Sequence, residues 1–175
     1  MPAPTAGQRP RPHAQAPAEV PISEKAKALA QLLQQTLADL GPDIGGSLGE
    51  VVATVAPEHL PEVARRVKES PDLAGDLLWC LSLVDYQDRF EAVYHVYSTQ
   101  KNHRFVLKAG VSQGEPHLPS VMSVWPGADW YEREAHDLFG VVFEGHPNLA
   151  PLLLYEGFEG YPGRRSYPFY DYQEW

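Results

Sequence analysis

The chain has 175 residues and a mass of 19.5 kDa, with 14 Lys and Arg against 23 Asp and Glu, a formal charge of −9 and a pI near 5.2. This length suits one domain with a substantial core, and the acidic balance disfavours a surface for nucleic-acid backbones. The single cysteine, Cys80, excludes an intrachain disulfide and an iron–sulfur cluster held by this chain's thiolates alone.

No stretch reaches the roughly 18 apolar residues of a membrane span, and residues 1–22 lack the apolar centre of a secretory signal, so the expectation is a soluble intracellular chain. Residues 1–22 hold six prolines and little apolar mass, the composition of a flexible tail. From Ser23, a residue suited to an N-cap, Leu29, Leu32, Leu33, Leu37 and Leu40 recur at helical spacing until Gly41-Pro42. Leu48 to Val55 reads as a strand, and Leu60, Val63, Ala64 and Val67 mark a second helix. Leu77 to Val84 is a nearly continuous apolar run that predicts a strand buried on both faces. Two alternating segments, FEAVYHVYS and HRFVLKAGV, flank Gln100-Lys101-Asn102 and predict a hairpin. A third helix, DWYEREAHDLF, is expected to be capped by Asp129 and closed by Gly140 in the left-handed conformation. The fold class is therefore α+β, a mostly antiparallel sheet packed with a few helices. From Gly140 onward the chain is irregular, with five glycines, four prolines and nine aromatics. Such an extended segment is expected to lie on a surface and to be covered.

Candidate chemical motifs are sparse. Gly45-Gly46-Ser47-Leu48-Gly49 matches the letters of a nucleophile elbow, but a helix precedes it and a strand follows, the reverse of what that chemistry requires; a loop is expected. No glycine-rich phosphate loop is present. Glu132 and His136 lie one helical turn apart and, with His146, form a possible metal-ligand set, which defines an alternative reading as a small metal-dependent hydrolase. Arg133 and Asp137, also four apart, explain the same letters as ion pairing. Glu156 and Glu159 are a weak carboxylate pair. Arg164-Arg165 is a local cation suited to docking on a carboxylate.

The run Tyr131-Glu132-Arg133-Glu134-Ala135-His136-Asp137-Leu138-Phe139-Gly140, continuing through His146-Pro147-Asn148-Leu149, resembles the signature of the 30 kDa subunit of respiratory complex I, the NADH–quinone oxidoreductase. Glu156-Gly157-Phe158-Glu159-Gly160-Tyr161-Pro162-Gly163-Arg164-Arg165-Ser166-Tyr167-Pro168 resembles that family's closing segment. The resemblance implies a peripheral-arm subunit without catalytic residues, cofactor or metal of its own. NADH, FMN, iron–sulfur clusters and quinone would belong to partner subunits. It implies residues 23–143 as the domain and 144–175 as an extended segment that packs on the quinone-site (49 kDa) neighbour. The complex would lie on the cytoplasmic side of the bacterial inner membrane, and the chain would meet the membrane only through it. By the same resemblance Glu132, Arg133, Glu134, Asp137 and Gly140 would hold the helix and its exit turn. His146, Pro147, Tyr161, Pro162, Arg164, Arg165, Tyr167 and Pro168 would serve the partner interface. The sequence departs from the family pattern at Ala150-Pro151, where two basic residues are usual, and at Tyr161, Gly163 and Ser166, where His, Leu and Asp are usual. These changes imply fewer charged contacts with the neighbour. An equivalent subunit of a membrane-bound [NiFe] hydrogenase or related dehydrogenase is the alternative within the same resemblance.

Overall fold

The computed structural model describes residues 23–168, so the expected tail at 1–22 lies outside the described residues, as do residues 169–175. The first helix, α1 (Glu24–Leu37), is capped by Ser23, whose hydroxyl accepts from the Ala26 amide at 3.2 Å. A 3-10 turn, Ala38–Leu40, extends it to Gly41, which is left-handed at φ 60. Then come β1 (Asp43–Ser47), β2 (Glu50–Val55), α2 (Leu60–Glu69), β3 (Leu77–Asp85), β4 (Arg89–Ser98), β5 (His103–Ser112), β6 (His117–Pro119), α3 (Ala128–Phe139) and β7 (Val142–Glu144).

Strands β1 to β5 form one sheet in the order β1-β2-β5-β4-β3. Every pairing in it is antiparallel except β2 with β5. The fold is α+β, as the pattern of elements predicts. Alternation along β2, β4 and β5 sends Val51, Ala53, Phe90, Ala92, Tyr94, Phe105 and Leu107 to one face, where they pack with Leu33 and Leu37 of α1 and Leu60, Val63 and Val67 of α2. Burying one of the Val, Leu or Phe side chains fully contributes about 1.5–3 kcal/mol.

Three local expectations change. Residues 45–49 are not a loop: Gly45, Gly46 and Ser47 lie in β1, paired with Val52, Val51 and Glu50, and only Leu48 and Gly49 form the turn. Both turn residues have positive φ, 52 and 82, as a two-residue hairpin matched to strand twist demands. Ser47 is therefore an exposed strand residue, far from an elbow's geometry. Second, β3 is not buried on both faces: Leu78 and Leu81 point inward, while Leu77 and Trp79 are 44% and 57% exposed. It is the sheet's edge, where alternation turns Trp79 outward, and the register shift between Leu78 and Cys80 resets the alternation so that Leu81 faces inward again. Third, the chain after Gly140 is not wholly irregular, because β7 pairs in parallel with β6, Phe143 beside Leu118.

Candidate functional site

Helix α3 organises the residues singled out above. Its N-cap is Gly127, not Asp129, which lies inside the first turn. Asp129 instead faces His146. The His146 imidazole is enclosed, its Nδ1 accepts from the Asn148 amide at 3.1 Å, and its Nε2 lies 3.1 Å from Asp129 Oδ1. An accepting Nδ1 places the neutral ring's proton on Nε2, aimed at the carboxylate but short of hydrogen-bond alignment.

Glu132 is fully buried. Its Oε2 accepts from Ser120 Oγ at 2.6 Å and its Oε1 from the Val121 amide at 2.8 Å, which pins the turn that leads into α3. Burial pushes its carboxyl up to about 7, against these two hydrogen bonds, and the Asp129 charge adds to the rise. The Tyr94 hydroxyl, also buried, has no hydrogen-bond partner among the described residues, and burial together with the Glu132 charge raises its pKa.

The other face of α3 holds the C-terminal segment. Asp137 Oδ2 accepts from three successive amides, Leu152 at 3.2 Å, Leu153 at 2.8 Å and Leu154 at 2.8 Å. Burial pushes its carboxyl up, but the three donors outweigh it and hold it below the ordinary value. Arg133 does not pair with Asp137: its Nε donates to the Ala150 carbonyl at 3.1 Å and its terminal nitrogen to the Pro151 carbonyl at 3.2 Å. Beyond the helix, Gly140 adopts φ 71 and its amide bonds the His136 carbonyl, the left-handed closure expected from sequence.

The carbonyls that a helix end leaves free are then met by the returning chain. The Gly163 amide donates to Leu138 at 2.9 Å, and Arg164 Nε donates to Phe139 at 2.7 Å. The Arg164 guanidinium also lies 4.5 Å from the centre of the Tyr161 ring and 5.2 Å from that of Phe90. A cation at the negative end of the helix dipole is favourable. The fit is close, since a Cβ on Gly140 would sit 2.5 Å from the Tyr161 ring and one on Gly163 would sit 2.8 Å from Phe139. One residue further, the Arg165 amide donates to Asp85 Oδ2 at 2.9 Å, and Asp85 also receives the Gln113 side chain and the Gln87 amide.

The structure thus gathers Arg133, Asp137, Gly140, Tyr161 and Arg164 around the last turns of α3. Glu132 sits apart in the core, and Glu134 lines a groove between β3 and α3 with Cys80, Leu83, Tyr131 and Phe139. Pro147, Arg165 and Pro168 are exposed, Pro162 and Tyr167 half-buried. The proposed metal set is not assembled: Glu132 faces Ser120, His136 Nδ1 lies 2.9 Å from the Val141 carbonyl, and His146 meets Asp129. No group of three His, Cys, Asp or Glu among the described residues is placed to hold a metal. Glu156 and Glu159 are both exposed on the segment. Sequence reasoning missed Asp85, which reads only as the polar end of an apolar run. Nothing local links it to a residue 80 positions away.

Held along its backbone by Arg133, Asp137 and Asp85, the segment turns Leu153, Tyr155 and Tyr161 outward, 60%, 72% and 40% exposed. An exposed apolar patch on an ordered segment has the character of a docking surface.

Comparison with known proteins adds an independent line. The family model described as respiratory-chain NADH dehydrogenase, 30 Kd subunit, matches residues 53–173. An NADH-quinone oxidoreductase subunit from Roseiflexus castenholzii (strain DSM 13941 / HLO8) is 45% identical over 117 residues, covering 65% of this chain and 67% of that protein. The solved trypsin-resistant fragment of Nqo5 matches with a TM-score of 0.58 and 30% identity, covering 69% of this chain and 98% of the fragment. A chain of the archaeal membrane-bound sulfane sulfur reductase, at 24% identity, shares the fold alone, with a TM-score of 0.58 over 68% of this chain and 72% of that one.

Proposed function

Because the chain belongs to the family of the 30 kDa subunit of the respiratory-chain NADH dehydrogenase, we propose that it is a non-catalytic structural subunit of the peripheral arm of a proton-translocating NADH–quinone oxidoreductase. In this reading residues 23–143 form the domain, and residues 144–175 dock on the quinone-site (49 kDa) neighbour. The chain reaches the cytoplasmic face of the membrane only through its partners; none of its described helices is long and apolar enough to cross one. NADH, FMN, the iron–sulfur clusters and quinone are held by those partners, since one cysteine cannot ligate a cluster unaided.

The observation that carries the reading is a segment held in shape by Asp137, Arg133 and Asp85 while its apolar side chains face outward. A fold that orders an exposed apolar surface has use for it in assembly.

A tagged chain expressed in its native host and solubilised with the membrane fraction tests this. It is expected to travel with the NADH-oxidising and quinone-site subunits. His136→Ala is expected to leave NADH:quinone turnover per assembled complex within about twofold, because among the described residues the imidazole's hydrogen-bond contact is with the local Val141 carbonyl. Recovery of the tagged chain as a lone monomer overturns the proposal.

A further inference from the structure

We infer that the outward aromatic cleft of the C-terminal segment receives a cationic side chain, an arginine or lysine on an extended stretch of a partner protein. The inference rests on the subunit reading above and deepens it by naming the chemistry of the contact.

The cleft is built from rings and carboxylates. Tyr155 and Phe158 meet edge to face with centroids 5.3 Å apart, and Phe158 stacks with Tyr167 at 6.3 Å and an interplanar angle of 25°. Two glycines shape the loop that carries them. Gly157 and Gly160 have φ of 84 and 86, and a Cβ on Gly160 would stand 2.9 Å from the Tyr167 ring, so only glycine lets that ring close on Phe158. Between Tyr155, Phe158, Glu159, Tyr167 and Pro168 lies an open cleft of about 570 Å³, wider than one side chain fills.

Acids outnumber free cations around it. Glu156 and Glu159 stand exposed on the same loop, and among the described residues neither has an ion-pair partner. Of the nearby cations, Arg164 is bound to the Phe139 carbonyl and the rings of Tyr161 and Phe90, while Arg165, held to Asp85 by its backbone amide, leaves one exposed guanidinium against the two carboxylates. The sequence that follows, residues 169–175, contains two acids and no cation. Negative ring faces beside unpaired carboxylates attract a guanidinium or ammonium from outside, and its alkyl stem can cover the exposed aromatic surface.

The test uses the assembled complex. Tyr155 is replaced by the photo-reactive p-benzoylphenylalanine in the tagged full chain, native membranes are irradiated, and the cross-linked peptide is sequenced. Attachment is expected within a few residues of an Arg or Lys of another subunit. Glu159→Arg is expected to lower the cross-link yield at least tenfold, while Glu115→Arg, the same charge change at an exposed position of the β5–β6 loop, leaves it within twofold. Attachment to a stretch without a basic residue, to residues 1–22 of the same chain or to a second copy of it overturns the inference, as does an unchanged yield for Glu159→Arg. Co-purification is scored before irradiation. A chain that travels with the complex yet fails these tests refutes the cleft alone, whereas a chain that purifies by itself refutes the subunit reading and the cleft with it.

Discussion

Glu132 holds its place through two neutral donors and no cation, so the proton is the cheapest means of neutralising it. Its carboxyl is pushed up to about 7 from an ordinary 4.5. The folded state therefore binds that proton more tightly than the unfolded chain, and the resulting stability is complete below pH 4.5 and lost as pH rises toward 7. Glu132→Gln keeps an acceptor for the Val121 amide and cannot ionise. It is expected to raise stability above pH 7, by an amount on the order of 3 kcal/mol at most, and to flatten the dependence of Tm on pH between 5 and 8. A Tm profile parallel to that of the unmodified chain would refute this. Asp137 has the opposite sign. Its lowered pKa means that its hold on the segment is present above the ordinary value of 3.8 and lost as pH falls below it. Asp137→Ala leaves the amides of Leu152, Leu153 and Leu154 without their acceptor, at roughly 1.5–3 kcal/mol for a charged hydrogen bond. Hydrogen exchange at those three amides is expected to rise by tenfold or more, with the β4 and β5 amides unaffected.

At the scale of elements, the end of α3 and the β1–β2 turn show opposite uses of the left-handed conformation. Gly140 needs it, and the Tyr161 ring fills the space a side chain would take. Gly140→Ala is expected to cost about 1–2 kcal/mol for the backbone plus the clash with the ring. Tyr161→Ala in the same chain is expected to recover the clash but not the backbone cost, a non-additivity that a double-mutant cycle in urea measures. Leu48 occupies the same region with a large side chain, at φ 52 and 71% exposed. Leu48→Asn suits the turn better and is expected to stabilise by roughly 0.5–1 kcal/mol, read as a Tm raised by a few degrees. These elements also show what the sequence makes legible. Ser23 and the leucine stripe announce α1, alternation announces β4 and β5, and Gly140 announces the end of α3, because each signal lies within its own element. Strand β1 is hidden by Gly45 and Gly46, which have no side chain to alternate. The β6–β7 pair is hidden because three-residue strands join only across 25 positions, His117 with Val142. Asp129 carries the letters of a cap, yet the turn fixed by Glu132 and Ser120 starts the helix earlier.

At the scale of the whole molecule, one domain and a segment folded back on it share a single set of contacts. The composition announces the segment through its aromatics, but not its seat, because Asp85 to Arg165 and Arg133 to Ala150 are contacts between a side chain and distant backbone that leave no trace in residue pattern. The departures from the family pattern at Tyr161 and Gly163 acquire a local meaning: the large ring covers Gly140, and the missing side chain makes room for Phe139. Removing residues 149–175 is expected to abolish incorporation into the complex and also to lower the Tm of the remaining domain, because Arg133, Asp137 and Asp85 lose their partners together. Full incorporation of that shortened chain would refute the role proposed for the segment.

The three amides on Asp137 bear on the tempo of association. Ordering a residue costs about 1–2 kcal/mol of backbone entropy, and for most of this segment that cost is met when the chain folds rather than when a neighbour arrives. Two preshaped bodies then meet at a rate set by diffusion and orientation. A chain loosened at Asp137 must instead wait for the small fraction of its population that holds the right shape. Its defect is expected in the rate of arrival more than in the lifetime of the contact once made.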